Sequence, residues 1–84
     1  MKEPVNFSIS YEQLTARTED LIQFYVSRRY EMPATNRFCA EALLMLWCVL
    51  AHEGHLETSN ARQIMEDTRR LLGMVASIKK TKFD

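Results

Sequence analysis

Residues 38–51 read FCAEALLMLWCVLA, a run in which Glu41 is the only charged residue and neither Gly nor Pro occurs. Leu, Met and Ala outnumber the β-branched residues, which favours a helix over a strand. A surface helix has one apolar stripe, whereas a helix that is apolar on most sides is enclosed by neighbours. The run therefore predicts the central helix of a small all-α protein. It is too short, and too interrupted by Glu41, to cross a bilayer.

The inward face of this central helix is predicted from helical spacing. At 100° per residue, one apolar ridge is formed by Cys39, Leu43, Leu46 and Leu50. Apolar residues flank the ridge on both sides, so we expect neighbours on nearly every side of the helix. Thr35 or Asn36 is the predicted N-cap, Arg37 and Glu41 are spaced to pair across a turn, and Gly54 marks the C-terminal end.

An amphipathic helix precedes the central one. Ser10 and Gln13 have the spacing of a capping box, so the helix is predicted to begin after Ser10. It should continue to about Tyr30, because Pro33 disfavours helix in the residue before it. One line along this helix is apolar and consists of Leu14, Leu21, Tyr25 and Met32.

The third helix has the clearest periodicity. Its apolar residues recur at spacings of three and four, and they are Ala61, Ile64, Met65, Thr68, Leu71, Leu72, Val75 and Ile78. Charged residues cover the other side, and they are Arg62, Glu66, Asp67, Arg69 and Arg70. Gly73 in the middle of this pattern indicates a close helix contact or a bend.

The two ends of the chain complete a single helical domain over residues 1–84. Residues 5–10 alternate between apolar and polar side chains, a pattern typical of a half-buried strand. One strand is not stable alone, so this segment pairs with a copy of itself, joins a partner's sheet, or lies along the helices. We expect the last, an extended arm over residues 1–9. Residues 79–84 are predicted to be a frayed basic tail.

Short connections make consecutive helices antiparallel, so we expect an up-down-up three-helix bundle. Three helices of this size leave apolar surface uncovered, which predicts a homodimer with six helices. Eleven acidic and eleven basic residues balance, so no net charge favours nucleic acid or a membrane surface. The start of the chain lacks the apolar segment of a secretory signal, and two cysteines make no disulfide scaffold. These features favour a cytoplasmic protein.

The residue set best suited to a metal is Cys48, His52 and His55, at spacings of four and three. No fourth ligand is evident, and the two histidines are three apart rather than four as in a metallopeptidase helix. Cys48 and His52 could also act as nucleophile and base, but the sequence offers neither an oxyanion site nor an orienting residue. We therefore expect no bound metal, no cofactor and no catalytic residue.

A strand followed by helices is also the element order of ribbon-helix-helix repressors, whose dimers place a two-stranded ribbon in the major groove. In that alternative, Asn6, Ser8 and Ser10 would read the bases. The long first helix and the absence of glycine between residues 31 and 36 argue against it. So does the balanced charge, because phosphate contacts supply much of the affinity for DNA.

Binding to another protein is the function that remains. The five methionines and the aromatic residues are side chains common at protein interfaces. We therefore expect a small regulator, inhibitor or adaptor that docks an apolar helix face on a partner. The predicted contact residues are Phe24, Tyr25, Arg28, Tyr30 and Trp47.

Overall fold

The computed structural model describes residues 9–53 and 61–79, and no strand occurs among them. Three helices account for most of these residues: α1 (Tyr11–Ser27), α2 (Pro33–Glu53) and α3 (Ala61–Ala76). Each helix contacts the other two, most extensively α1 with α2. The predicted all-α class is confirmed. The N-terminal arm up to residue 8, Gly54, the connection through residue 60 and the tail from residue 80 lie outside the described residues.

The start of α1 is the predicted capping box. The Ser10 hydroxyl accepts a hydrogen bond from the Gln13 backbone N–H at 3.0 Å. In return, Gln13 Oε1 accepts one from the Ser10 backbone N–H, also at 3.0 Å. Two N–H groups that lack a partner within the helix are thereby satisfied.

The predicted boundary between α1 and α2 is wrong by several residues. Helix α1 ends at Ser27 rather than near Tyr30. Pro33 is the first residue of α2, not merely a stop signal for α1. Proline is well suited to this position, because the N–H that it lacks would have no partner in the first turn and its φ is already helical.

The turn between α1 and α2 is held by Asn36, which was predicted to be a helix cap. Its side-chain N–H group donates to the backbone oxygens of Arg28 at 2.6 Å and of Glu31 at 2.5 Å. Met32 has a φ of 50°, in the left-handed region that residues with a Cβ rarely adopt. The connection between α1 and α2 is therefore a compact, hydrogen-bonded turn.

The buried face of α2 differs from the predicted one. Trp47 is 1% exposed, and Ala40 and Ala51, one to two turns away, are also buried. In contrast, Leu46 is 57% and Leu50 40% exposed, so the predicted burial of the ridge is wrong for these residues. Small residues on both sides of Trp47 allow neighbouring helices to approach while the indole fills the space between them.

Trp47 also has the most deeply buried polar contact of the described structure. Its indole Nε1–H donates to Thr15 Oγ1 on α1 at 2.9 Å. The Tyr11 ring lies 6.2 Å from the indole, centroid to centroid, at an angle of 55°. The hydrogen bond satisfies a donor that would otherwise be buried without a partner.

Helix α3 follows its predicted pattern only in part. The buried residues include Ile64, Leu71, Val75 and Ile78, as predicted, whereas Met65 and Leu72 are exposed. The Ile78 carbonyl accepts a hydrogen bond from Arg37 at 3.2 Å, which attaches the end of α3 to α2.

Two smaller predictions have opposite outcomes. Arg37 also forms the predicted pair with Glu41, with Nε and Oε1 2.8 Å apart. A Cβ added at Gly73 would meet no atom of the other residues within 4 Å. The close helix contact expected at this glycine is therefore absent from the described structure.

Replacing Thr15 with valine should destabilise the fold by leaving the indole N–H of Trp47 buried and unpaired. The side chains have nearly the same shape, so the lost hydrogen bond dominates. We expect the free energy of unfolding to fall by about 1–3 kcal/mol, measured by urea denaturation.

Thr18→Val is the matched control, because Thr18 is equally buried and lies one turn further along α1. Its hydroxyl donates only to the backbone oxygen of Leu14, at 2.8 Å within the same helix. That oxygen keeps its helical hydrogen bond after substitution, so we expect a loss below about 0.5 kcal/mol. Equal losses in the two variants would contradict the role assigned to the Trp47–Thr15 bond.

Candidate functional site

The most concentrated group of titratable side chains surrounds Asp67, which is almost completely buried. Asp67 Oδ2 accepts from the Tyr11 hydroxyl at 2.5 Å and from Gln63 at 3.1 Å. Asp67 Oδ1 accepts from Arg70 at 3.2 Å, and Arg70 also forms an ion pair with Glu19. The group joins α1 to α3.

The hydrogen bonds of this polar group are made within the fold. Burial, and then the hydrogen bond to Asp67, raise the pKa of Tyr11 to about 12, so its hydroxyl stays protonated at neutral pH. Asp67 Oδ2 accepts two hydrogen bonds and Oδ1 accepts one, all three from side chains of α1 and α3. We interpret the cluster as a structural connection between helices.

Sequence analysis placed Asp67 on the outer side of α3, and the structure corrects this. Ile64, Asp67 and Leu71 are spaced by three and four residues, so Asp67 lies within the apolar line. Its neighbour Glu66 is exposed, as expected for adjacent residues on a helix. The spacing alone could have identified Asp67 as a buried carboxylate that requires hydrogen-bond donors around it.

The second chemical candidate, Cys48 with His52, lacks the properties of a nucleophilic pair. Cys48 is half-buried against the core, and this burial raises the pKa of its thiol. A reactive cysteine requires the opposite shift. Among residues 9–53 and 61–79, no three His, Cys, Asp or Glu side chains are grouped to hold a metal ion. His55, the third predicted ligand, lies outside that range.

Three predicted contact residues lie together at the C-terminal end of α1. The Phe24 ring meets the Tyr25 ring edge-on, with centroids 5.2 Å apart and an angle of 85°. The Arg28 guanidinium lies 4.5 Å from the centre of the Phe24 ring. Phe24 and Arg28 are exposed, whereas Tyr25 is half-buried against the core.

The other two predicted contact residues have different positions. Tyr30 is 84% exposed in the turn after α1, with the Arg29 guanidinium 4.7 Å from its ring centre. Trp47 lies in the core between Tyr11 and Thr15, so its side chain is not available to a partner in this conformation. Its burial corrects the prediction that it belongs to a contact surface.

Among the described residues, the largest exposed apolar surface belongs to α2, most of whose apolar residues were predicted to be buried. We call it the α2 stripe: Phe38, Ala42, Met45, Leu46, Val49 and Leu50. Phe38 is 71% and Met45 69% exposed. For fully exposed areas of roughly 150–200 Å² per residue, the five large members leave on the order of 500 Å² of apolar surface in water. A patch of this size is typical of an interaction site.

The composition of α2 has a second implication. With 21 residues from Pro33 to Glu53, the helix is long and apolar enough to span a membrane by length and composition alone. The shorter run considered in the sequence analysis did not meet this criterion. A single such helix is weak evidence, because a core helix has the same composition. In the fold, Trp47 and Arg37 of α2 are hydrogen-bonded to α1 and to the end of α3.

Two remaining candidates carry no site. A shallow depression between His52 and the start of α3 is lined mainly by side chains of α3, including Met65 and Arg69. The ribbon alternative depends on residues 5–10, of which only the last two are described. The hydroxyl of Ser10, predicted there to read DNA bases, caps α1 instead.

The pKa of Tyr11 predicts a loss of stability in alkali. In the unfolded chain Tyr11 ionises near pH 10, and in the folded chain near pH 12. The stabilisation from its protonated hydroxyl is therefore complete below pH 10 and is lost as the pH rises to 12. We expect the difference in unfolding free energy between the wild type and Tyr11→Phe to be constant up to pH 10 and to shrink above it.

Urea denaturation at intervals between pH 8 and pH 12 would measure this difference. Tyr30→Phe is the control, because it removes a phenol that is exposed in the turn, and its profile should follow that of the wild type. Wild-type and Tyr11→Phe curves that stay parallel above pH 10 would contradict the role of the Tyr11–Asp67 hydrogen bond.

Comparison of the chain with known proteins finds no matching protein family, no matching characterised relative and no matching solved structure. The functional interpretation therefore depends on the surfaces and contacts of this chain alone.

Proposed function

We propose that this protein is a non-enzymatic interaction module that docks an apolar helix face on a partner chain, either a different protein or a second copy of itself. In this proposal it acts in the cytoplasm as a homodimeric regulator, inhibitor or adaptor. The observation that carries the proposal is the α2 stripe, because exposed apolar patches of this size often mark an interaction site.

We propose that the three helices run up, down and up. Thr15 contacts Trp47, whereas the later residue Arg28 contacts the earlier residue Asn36, which supports antiparallel α1 and α2. Tyr11, near the start of α1, contacts Asp67 of α3, and Glu19, further along α1, pairs with Arg70, further along α3. These two contacts support parallel α1 and α3.

Helix α3 covers one side of the α1–α2 pair, and we propose that the opposite side stays uncovered. On α1, Glu19 reaches α3, and Leu21 projects on the other side of the inward line through Thr15. On α2, Arg37 reaches the end of α3, and Leu46 projects on the other side of Trp47. For antiparallel helices, Leu21 and Leu46 then lie on one common side, away from α3.

The mechanism that we propose is occlusion or scaffolding. A protein docked on the α2 stripe would cover the apolar side chains of α2. The surface that this docked protein uses for the contact would then be blocked to other molecules or held in a fixed position. The exposed Phe24 and Arg28 at the end of α1 extend the contact with an aromatic ring and a positive charge. Aromatic and Arg side chains often dominate the energy of such contacts.

Introducing a charge into the α2 stripe tests the proposal. Leu46→Glu places a carboxylate on the stripe, and we expect it to abolish association with the docked protein. Since Leu46 is 57% exposed, the free energy of unfolding of the separate chain should change by less than about 0.5 kcal/mol. Leu72→Glu is the matched control, the same substitution at an exposed leucine of α3.

The measurement is affinity purification of the three tagged forms from the source organism, with quantitative mass spectrometry that includes an untagged copy of this chain. The proposal is supported by a protein that is retained by the wild type and by Leu72→Glu but not by Leu46→Glu. The same protein, once purified, should bind the purified wild-type chain again. If all three forms retain the same proteins, or if none is retained, the docking function is wrong.

A further inference from the structure

We infer that the occupant of the α2 stripe is a second copy of this chain, packed so that the two α2 helices run antiparallel across a two-fold axis. This inference rests on the proposed function, since it names the partner that docks on the same surface. It adds the position of the axis, at the level of residue 44, and the residues that face each other.

The ends of the stripe define the position of the axis. Thr35 and Glu53 are both exposed, and they are 18 residues apart, which is five complete helical turns. They therefore lie at the same angle around α2, and this angle falls within the range of the stripe. A two-fold axis at their midpoint places Thr35 of each chain opposite Glu53 of the other. The apolar residues then face each other, and the polar residues lie at the rim, as in typical protein interfaces.

The same register places a leucine opposite the smallest residue of the stripe. Residue numbers that face each other across the axis add up to 88, so Ala42 of one copy faces Leu46 of the other. Ala42 is the smallest residue of the stripe and lies near its centre, where it leaves room for the leucine. Phe38 faces Leu50 at both ends of the stripe. Alternation of large and small residues allows two helix faces to interdigitate.

Electrostatics also favours the antiparallel arrangement. Helix α2 has no acidic residue in its first turn, so the partial positive charge of its N-terminus lacks a compensating carboxylate within the helix. In the antiparallel dimer, Glu53 of the second copy lies at that N-terminus. A parallel arrangement would instead bring together two N-termini and two Glu53 carboxylates.

The exposed apolar area is large enough to form most of a dimer interface. The α2 stripe with Leu21 of α1 leaves on the order of 600 Å² of apolar surface per chain, and a standard interface buries about 800 Å² of total surface per partner. Within the stripe itself no residue is charged. A surface without charge is well suited to its own copy, because it brings no like charges together across the axis.

Cysteine pairing tests the register. In a background of Cys39→Ser and Cys48→Ser, one preparation carries Ala42→Cys and another carries Leu46→Cys. Facing residues on packed helices come within the 7 Å between Cα atoms that a disulfide requires. We expect a disulfide-linked dimer when the two preparations are mixed under mild oxidation, and little or none in either preparation alone.

Two controls accompany this experiment. Arg62→Cys and Glu66→Cys have the same spacing on the exposed side of α3, and their mixture should form no linked dimer. Light scattering at increasing concentrations of the chain without new cysteines should give the dimer mass. Leu46→Glu should raise the dimer dissociation constant by at least about 30-fold, and circular dichroism would verify that the variant is folded.

Each other outcome overturns the inference in a distinct way. Linked dimers in each preparation alone, with no link between an Ala42→Cys chain and a Leu46→Cys chain in the mixture, would overturn the antiparallel register while the docking function stands. If the chain is a monomer, and Leu46→Glu abolishes its binding to a different purified protein, the second copy is not the occupant of the stripe. The docking function would be unaffected by this outcome. A monomer that binds phosphatidylcholine–phosphatidylglycerol vesicles through the stripe would overturn both.

Discussion

The hydrogen bond from the Trp47 indole to the Thr15 hydroxyl is the contact on which the arrangement of α1 and α2 depends. The indole is the largest fully buried side chain of the described structure, and the small residues Ala40 and Ala51 lie above and below it on α2. Because a buried N–H needs an acceptor, the hydroxyl selects one rotation of α2 about its axis. That rotation turns Trp47 inward and leaves Leu46 outside.

This choice explains why the sequence predicts the class of fold better than its interior. The three helices, the capping box of α1 and the Arg37–Glu41 pair follow from local patterns, which act over three or four residues. The inward face of α2 does not, because apolar residues occupy several of its sides and periodicity cannot rank them. A hydrogen-bond partner 32 residues away decides between these sides, and no local pattern contains it.

The candidate site was predictable to a similar extent. Phe24, Tyr25 and Arg28 were identified because aromatic and basic residues at the end of a helix are visible in the sequence, and they do lie together. The α2 stripe was missed because Leu46 and Leu50 were assigned to the inward ridge of α2, and Met45 was assigned to its polar or mixed side. The apolar excess of α2 was recognised, but which part of it faces water depends on where α3 packs. Asp67 was missed because charge was given more weight than its position in the apolar line.

The turn between the first two helices has a consequence for binding. Met32 is held at a positive φ, the ring of Pro33 fixes the φ of the following position, and the Asn36 side chain donates to two backbone oxygens of the turn. The orientation of α2 relative to α1 is thus defined before any encounter. A preorganised surface loses little conformational entropy when it is covered, so more of the hydrophobic free energy is available as affinity.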